Sequence, residues 1–184
     1  MVAIKSFTRH CLEEQGHKVY SMPIALDVFL KIQKELKTDY LKNHRLVIKV
    51  GTHLGASVIK LLKDSWTIDD HLSIKNTTGV FFSIWVDHIS KYSDLVQYNV
   101  HALKMSRLGD HKIKSRGFAE SFRSQVKKQI VDWPNVSTDH GPLTLLQGSF
   151  PFSEVNLEAQ CLKSMEAFVK MSPIIDQVLK PHLR

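Results

Sequence analysis

The sequence predicts an α+β protein: a mainly antiparallel sheet flanked by N- and C-terminal helices. Three observations lead there. Val80–Asp87 (VFFSIWVD) is dense in β-branched and aromatic residues, the composition of a strand. Phe118, Phe122, Val126 and Ile130 recur every four residues, the spacing of one helix face. Strand-like segments crowd the middle of the chain, and helical periodicity fills both ends, which separates the two kinds of element as α+β folds do.

Taken in order, residues 3–15 read as a first helix, with Ile4, Phe7, Cys11 and Leu12 on one side and Gly16 as the stop. Ser21 caps a second helix running to about Tyr40, with Pro23 in its first turn. Its apolar stripe is Ile24, Val28, Phe29, Ile32 and Leu36. Arg45–Val50 (RLVIKV) is a strand. Residues 52–65 fit two templates. Leu54, Val58, Leu61 and Leu62 suit a helix, whereas Ser57, Ile59 and Leu61 alternate as in a strand. Gly51 and Gly55 do not suit a central strand, so the helix is preferred.

Val80–Asp87 is the clearest strand, and Leu95–Met105 (LVQYNVHALKM) reads as its antiparallel partner, which would set Trp85 near Tyr98. Ser115 is placed to cap a helix reaching about Val131, ended by Trp133-Pro134-Asn135. Leu143–Phe150 is a further strand. Ser153 opens a long helix with Leu157, Cys161, Met165 and Phe168 on one face, and Pro173 stands where a separate short helix would begin. With no repeat and no linker, the reading is one domain over 1–184. Its N-terminal residues 1–40 are helical, residues 45–150 hold the sheet core, and residues 153–184 form C-terminal helices.

With 43% hydrophobic and 23% charged residues the composition is that of an ordinary globular chain. No apolar window is long enough to span a membrane, and the N-terminus meets charge too early for a secretory signal. Cys11 and Cys161 lie far apart on apolar helix faces, as reduced thiols do, so the expected location is cytoplasmic. The net charge of +7 is concentrated. Between Lys104 and Lys128 stand eight bases (Lys104, Arg107, Lys112, Lys114, Arg116, Arg123, Lys127, Lys128) against Asp110 and Glu120.

Such a segment has two readings. Lys and Arg are good surface helix formers, and an amphipathic helix needs a solvated face. Clustered, the same groups make a positive field that suits phosphates. The candidate anion contacts are Lys104, Arg107, Lys112, Lys114, Ser115, Arg116, Arg123 and Lys127; Ser115 and the first helical amides would hold one phosphate through the helix dipole. Zinc-finger, RRM and KH signatures are missing, so nucleic acid would be held by its backbone with little base reading.

A second pattern is the dipeptide Asp-His, at Asp70-His71, Asp87-His88, Asp110-His111 and Asp139-His140. Carboxylate and imidazole are ligands of Zn, Mn and Fe, and can run acid–base chemistry. Neighbours on a strand point to opposite sides, so two pairs would have to meet; Asp87, His88, Asp139 and His140 are the alternative site, for a metal-assisted hydrolase. Against it, no His-x-x-x-His on a helix and no Cys-x-x-Cys occurs, and all four pairs fall in turns or at strand ends, where both residue types are at ease. In a metal-dependent nuclease pattern starting from Asp87, Ala102 occupies the place of the second acid. There is no Gly-rich phosphate loop and no GxSxG elbow. His101 reads as a core histidine, or as a base beside Asn99. Trp66, Trp85 and Trp133 read as packing residues.

The sequence carries no family motif. The expectation is a small non-enzymatic binding or accessory protein, without cofactor or membrane partner, that contacts nucleic acid or another polyanion through residues 104–128. A third expectation is a homo-oligomeric structural protein whose exposed aromatic strand pairs with its twin.

Overall fold

The computed structural model describes residues 23–36, 39–68, 74–75, 78–87, 90, 93–108 and 113–182. The helix expected at 3–15 lies outside them. The described chain is α+β: a five-stranded antiparallel sheet in the order β1-β2-β3-β4-β5, with helices before and after it. The strands are β1 (Leu46–His53), β2 (Ala56–Lys63), β3 (Gly79–Val86), β4 (Leu95–Leu103) and β5 (Thr144–Pro151). The helices are α1 (Pro23–Glu35), the short α2 (Asp39–Asn43), α3 (Ser115–Val126) and α4 (Leu157–Leu179).

The helix preferred for 52–65 is instead the β1–β2 hairpin. Its cause is the dipeptide Leu54-Gly55, in which both residues take positive φ (50° and 79°). Two left-handed residues in succession make the tight turn whose twist matches paired strands. Gly55 serves that turn and is not in a strand interior. Gly51 lies in β1 at the sheet edge, where an added Cβ would meet Ile74 at ordinary contact distance.

Alternation sorts each strand's side chains onto two faces. Ile48, Leu61, Phe82, Val100 and Leu146 form one cross-strand row, and Val50, Ile59, Ile84, Tyr98 and Gly148 the next. This face packs on Phe29 and Ile32 of α1, Phe118 and Phe122 of α3, and Cys161, Met165 and Phe168 of α4, all buried in one core. Phe168 stacks on Phe82 at 4.9 Å between ring centres and meets Tyr98 edge-on.

The register corrects one expectation. Trp85 faces Gln97, and Tyr98 faces Ile84, so Trp85 and Tyr98 project to opposite faces of the sheet. β3 is the central strand, paired on both sides, so the aromatic strand has no edge to offer a twin.

The second helix is shorter than expected: α1 stops at Glu35 and α2 follows. The C-terminal helix is longer. Pro173 lies within α4 rather than opening a new helix. Proline lacks the N–H that would bond the carbonyl of Val169, and the Ser172 hydroxyl donates to that carbonyl instead at 2.8 Å. Asp176, one turn on, ties α4 to the sheet: Trp66 Nε1 and Lys63 Nζ donate to its two carboxylate oxygens, each at 2.7 Å. No helix among the described residues is long and apolar enough to cross a membrane.

Candidate anion-binding surface

The basic segment begins where β4 ends. Lys104 takes a left-handed backbone (φ 48°) and is exposed; the tight turn Met105–Arg107 then buries Met105 and leaves Arg107 exposed. Leu108 and Ile113 are buried and hold the two ends of the connection to α3. Lys112 lies outside the described residues. Lys114, in extended backbone, occupies the cap position of α3 without a side-chain cap bond, so Ser115 is the first helical residue rather than the cap.

Along α3 the phenylalanine face is inward, as its spacing predicts: Phe118, Ala119, Phe122 and Val126 are buried, and Ile130 just beyond is buried too. Helical spacing then places Arg116, Glu120, Arg123 and Lys127 in one row beside that face. Arg123 in that row turns inward. Its Nε donates to the carbonyl of Leu145 at 3.1 Å, and its Nη2 donates to those of His140, Gly141 and Thr144 at 2.7, 3.0 and 2.9 Å. This guanidinium clamps the turn that leads into β5. On the other side of the same turn, the carbonyl of Leu143 accepts from the amide of Ala102 at 3.0 Å, two residues before Lys104. The strand end and the helix row therefore abut one turn.

Lys104, Arg107, Lys114, Arg116, Lys127 and Lys128 are all exposed. Among the described residues none of them has a carboxylate partner. The ion pairs there are Lys31 with Glu35 and Glu158, Lys42 with Asp39, and Lys63 with Asp176.

The Asp-His pairs are placed differently. The Asp87 carboxylate accepts the amide and hydroxyl of Ser90 at 2.8 and 3.0 Å and so closes its own turn; His88 is outside the described residues, as are Asp70-His71 and Asp110-His111. Asp139 is exposed, and the Nε2 of half-buried His140 is buried without a hydrogen-bond partner. Asp87, Asp139 and His140 do not converge, and no group of three or more metal-ligating side chains exists among the described residues. Burial pushes the Cys161 thiol well above its ordinary range, as befits an inert core cysteine.

The sheet face turned away from the helices carries a polar row of which the sequence reading singled out only Asn99, with His101 nearby. Lys49, Lys60, Ser83, Asn99 and Gln147 stand opposite one another in a single row across all five strands. Lys60 is only 1% exposed and Lys49 8%. Lys60 Nζ donates to the carbonyl of Ile74 at 2.7 Å and sits 4.3 Å over the Phe81 ring. The Ser83 hydroxyl donates to Asn99 Oδ1 at 2.5 Å and accepts from Trp85 Nε1 at 2.8 Å. His101, half-buried on this face, contacts the Phe81 ring and the carbonyl of Leu143. Burial lowers its pKa most, the Leu143 carbonyl opposes that, and Lys60 lowers it further. His53 is lowered likewise, by burial first and then by Lys60 and Lys75. The visible signal is a lysine in the middle of each apolar run, LVIKV and SVIKLLK; a helical reading of the second hides their alignment. In comparisons with known proteins, the chain matches no family model, no curated protein and no solved structure.

Proposed function

We propose that the chain is a small binding or accessory protein that holds an anionic partner, with nucleic acid foremost, on the exposed cations of residues 104–128. One observation carries this: Lys104, Arg107, Lys114, Arg116, Lys127 and Lys128 face solvent, and among the described residues none is neutralised by a carboxylate. Surface cations left unpaired keep their field for a partner. Arg123 has a supporting role, fixing the turn between the strand end and the helix row. Binding through phosphates implies contact with the backbone and weak base preference. The free buried thiol of Cys161 accords with a cytoplasmic setting.

Fluorescence anisotropy against a duplex DNA and a single-stranded RNA, over a salt series, tests the proposal. For a duplex, the logarithm of affinity should fall with that of salt by about 0.9 per phosphate contacted. Replacing Lys104, Arg116 and Lys127 together by Gln should flatten that slope by roughly two to three. No measurable binding to either polymer at low salt, or a slope unmoved by the triple substitution, refutes it.

A further inference from the structure

The exposed cations of the basic surface stand on two elements. Lys104 and Arg107 lie at the end of β4, and Lys114, Arg116, Lys127 and Lys128 lie at the two ends of α3. Arg116 and Lys127 are eleven residues apart, which along a helix is about 16 Å. Between them the exposed side of α3 is Gly117, Glu120, Ser121, Ser124 and Gln125. A Cβ added at Gly117 would meet no atom within 4 Å, so this side is open.

These side chains are polar, and none offers a ring to a base. The apolar residues exposed beside them, Val131 and Leu143, are aliphatic. Trp133, which follows α3 most closely among the aromatic residues, turns its ring to Tyr98 and Phe168 at 5.7 and 5.6 Å. His140, in the turn that Arg123 clamps, keeps its Nε2 buried. Proteins that hold single strands add base stacking on aromatic side chains to a charged groove, and one stacked base is worth roughly five- to a hundredfold in affinity. Where stacking adds nothing, affinity follows charge density, and a DNA duplex carries one charge per ~1.7 Å of axis.

Glu120 points the same way. It repels a phosphate that crosses the middle of α3, as a single strand running from Arg116 to Lys127 must. The two strands of a B-form duplex are parted by a major groove about 12 Å wide, which admits a helix. Their phosphates then meet cations at both ends of α3, and Glu120 lies over the groove between them. We infer that the partner is duplex DNA, taken across a groove by α3 in preference to single strands, an assignment that rests on the proposed role of residues 104–128 and narrows it.

Fluorescence anisotropy with the full chain compares a mixed-sequence DNA duplex with oligo(dT) of the same length. Six phosphate contacts give salt slopes of about 5.4 for the duplex and about 4.2 for the single strand, and lines that meet at about 1 M salt stand about fifteenfold apart at about 0.1 M. Ser121→Trp sets a stacking ring in the middle of the exposed side. The Ser124 hydroxyl keeps its acceptor there, which is the main-chain carbonyl of residue 121. The variant should gain roughly fivefold or more for oligo(dT) and should not tighten the duplex. The wild-type ratio does not depend on how the variant folds. Oligo(dT) held as tightly as the duplex, with salt-dependent binding to both, overturns the preference for duplex and leaves the polyanion role standing. A folded Ser121→Trp chain with an unchanged ratio overturns it as well. No salt-dependent binding to either polymer removes the polyanion role, and the duplex assignment with it.

Discussion

Arg123 separates two roles that a cation in a basic segment can have. As a clamp, it serves four carbonyls of the turn entering β5 with two nitrogens, all at 3.1 Å or less. The bond to the Gly141 carbonyl is exposed, and water can replace the arginine there; those to His140, Thr144 and Leu145 are part-buried. A hydrogen bond from a charged donor is worth about 1.5–3 kcal/mol. Counted as one such bond for each of the two donor nitrogens and discounted for partial exposure, the clamp gives about 3 kcal/mol for Arg123→Ala. For a chain of this size that is a drop of about 6–12 °C in Tm. Arg123→Lys keeps the charge but loses the planar fork that spans the turn, so it should still cost about 1–2 kcal/mol. The assay is urea unfolding followed by far-UV circular dichroism, run beside the DNA titration. The clamp reading requires Arg123→Lys to lose stability while the salt slope of binding holds. A lysine variant as stable as wild type but defective in binding, to the degree that Arg116→Gln is, would refute it and make Arg123 a ligand contact.

Three further outcomes follow from local geometry. Leu54, 88% exposed at φ 50°, carries a left-handed strain that Asn tolerates, so Leu54→Asn should raise stability by about 0.5–1 kcal/mol in urea unfolding. Ser172→Ala removes the donor to Val169 and should cost about 1 kcal/mol, but much less when combined with Pro173→Ala, which restores the missing N–H; thermal melts of the four chains give the coupling. His53 and His101 have lowered pKa values, so the folded chain binds fewer protons than the unfolded one near pH 6; their contribution is complete above the unfolded value of 6.5 and is lost as pH falls through the folded values. Tm should therefore decline from pH 7.5 to 5.5, and less so in His101→Gln, as differential scanning calorimetry would show.

What the sequence discloses tracks the range of the interactions involved. Val80–Asp87 and the phenylalanines of α3 are legible because strand composition and four-residue spacing are local. The β1–β2 hairpin is misread because Leu54-Gly55 lacks the Asn or Asp that usually announces a two-residue turn, and because Leu61 and Leu62 satisfy the helical spacing as well as the strand. Pro173 resembles a helix start because its rescue by Ser172 depends on a side-chain rotamer, not on residue type. The basic segment is visible as charge, but the inward turn of Arg123 is not: its four acceptors come from 140–145, seventeen or more residues away, and are main-chain atoms of no particular sequence.

The polar row across the far face has a structural consequence that follows from strand alternation alone. Lys49, Lys60, Ser83, Asn99 and Gln147 occupy one level of the sheet, with Val50, Ile59, Ile84 and Tyr98 adjoining it on the helix-facing side. Slipping β2 by one residue against its neighbours would turn Lys60 toward Phe82 and Phe168, and would lift Ile59 and Leu61 out of the core. A lysine thrust into that aromatic layer would meet a desolvation cost of several kcal/mol, where it now has the Ile74 carbonyl and the Phe81 ring. β2 needs such a constraint because its apolar content is nearly even on both faces: Val58 and Leu62 are as buried as Ile59 and Leu61, so hydrophobicity by itself would tolerate the slip. Lysine in the middle of that strand is what makes the two faces unequal, and the Ser83–Asn99 bond repeats the same choice one hairpin further on.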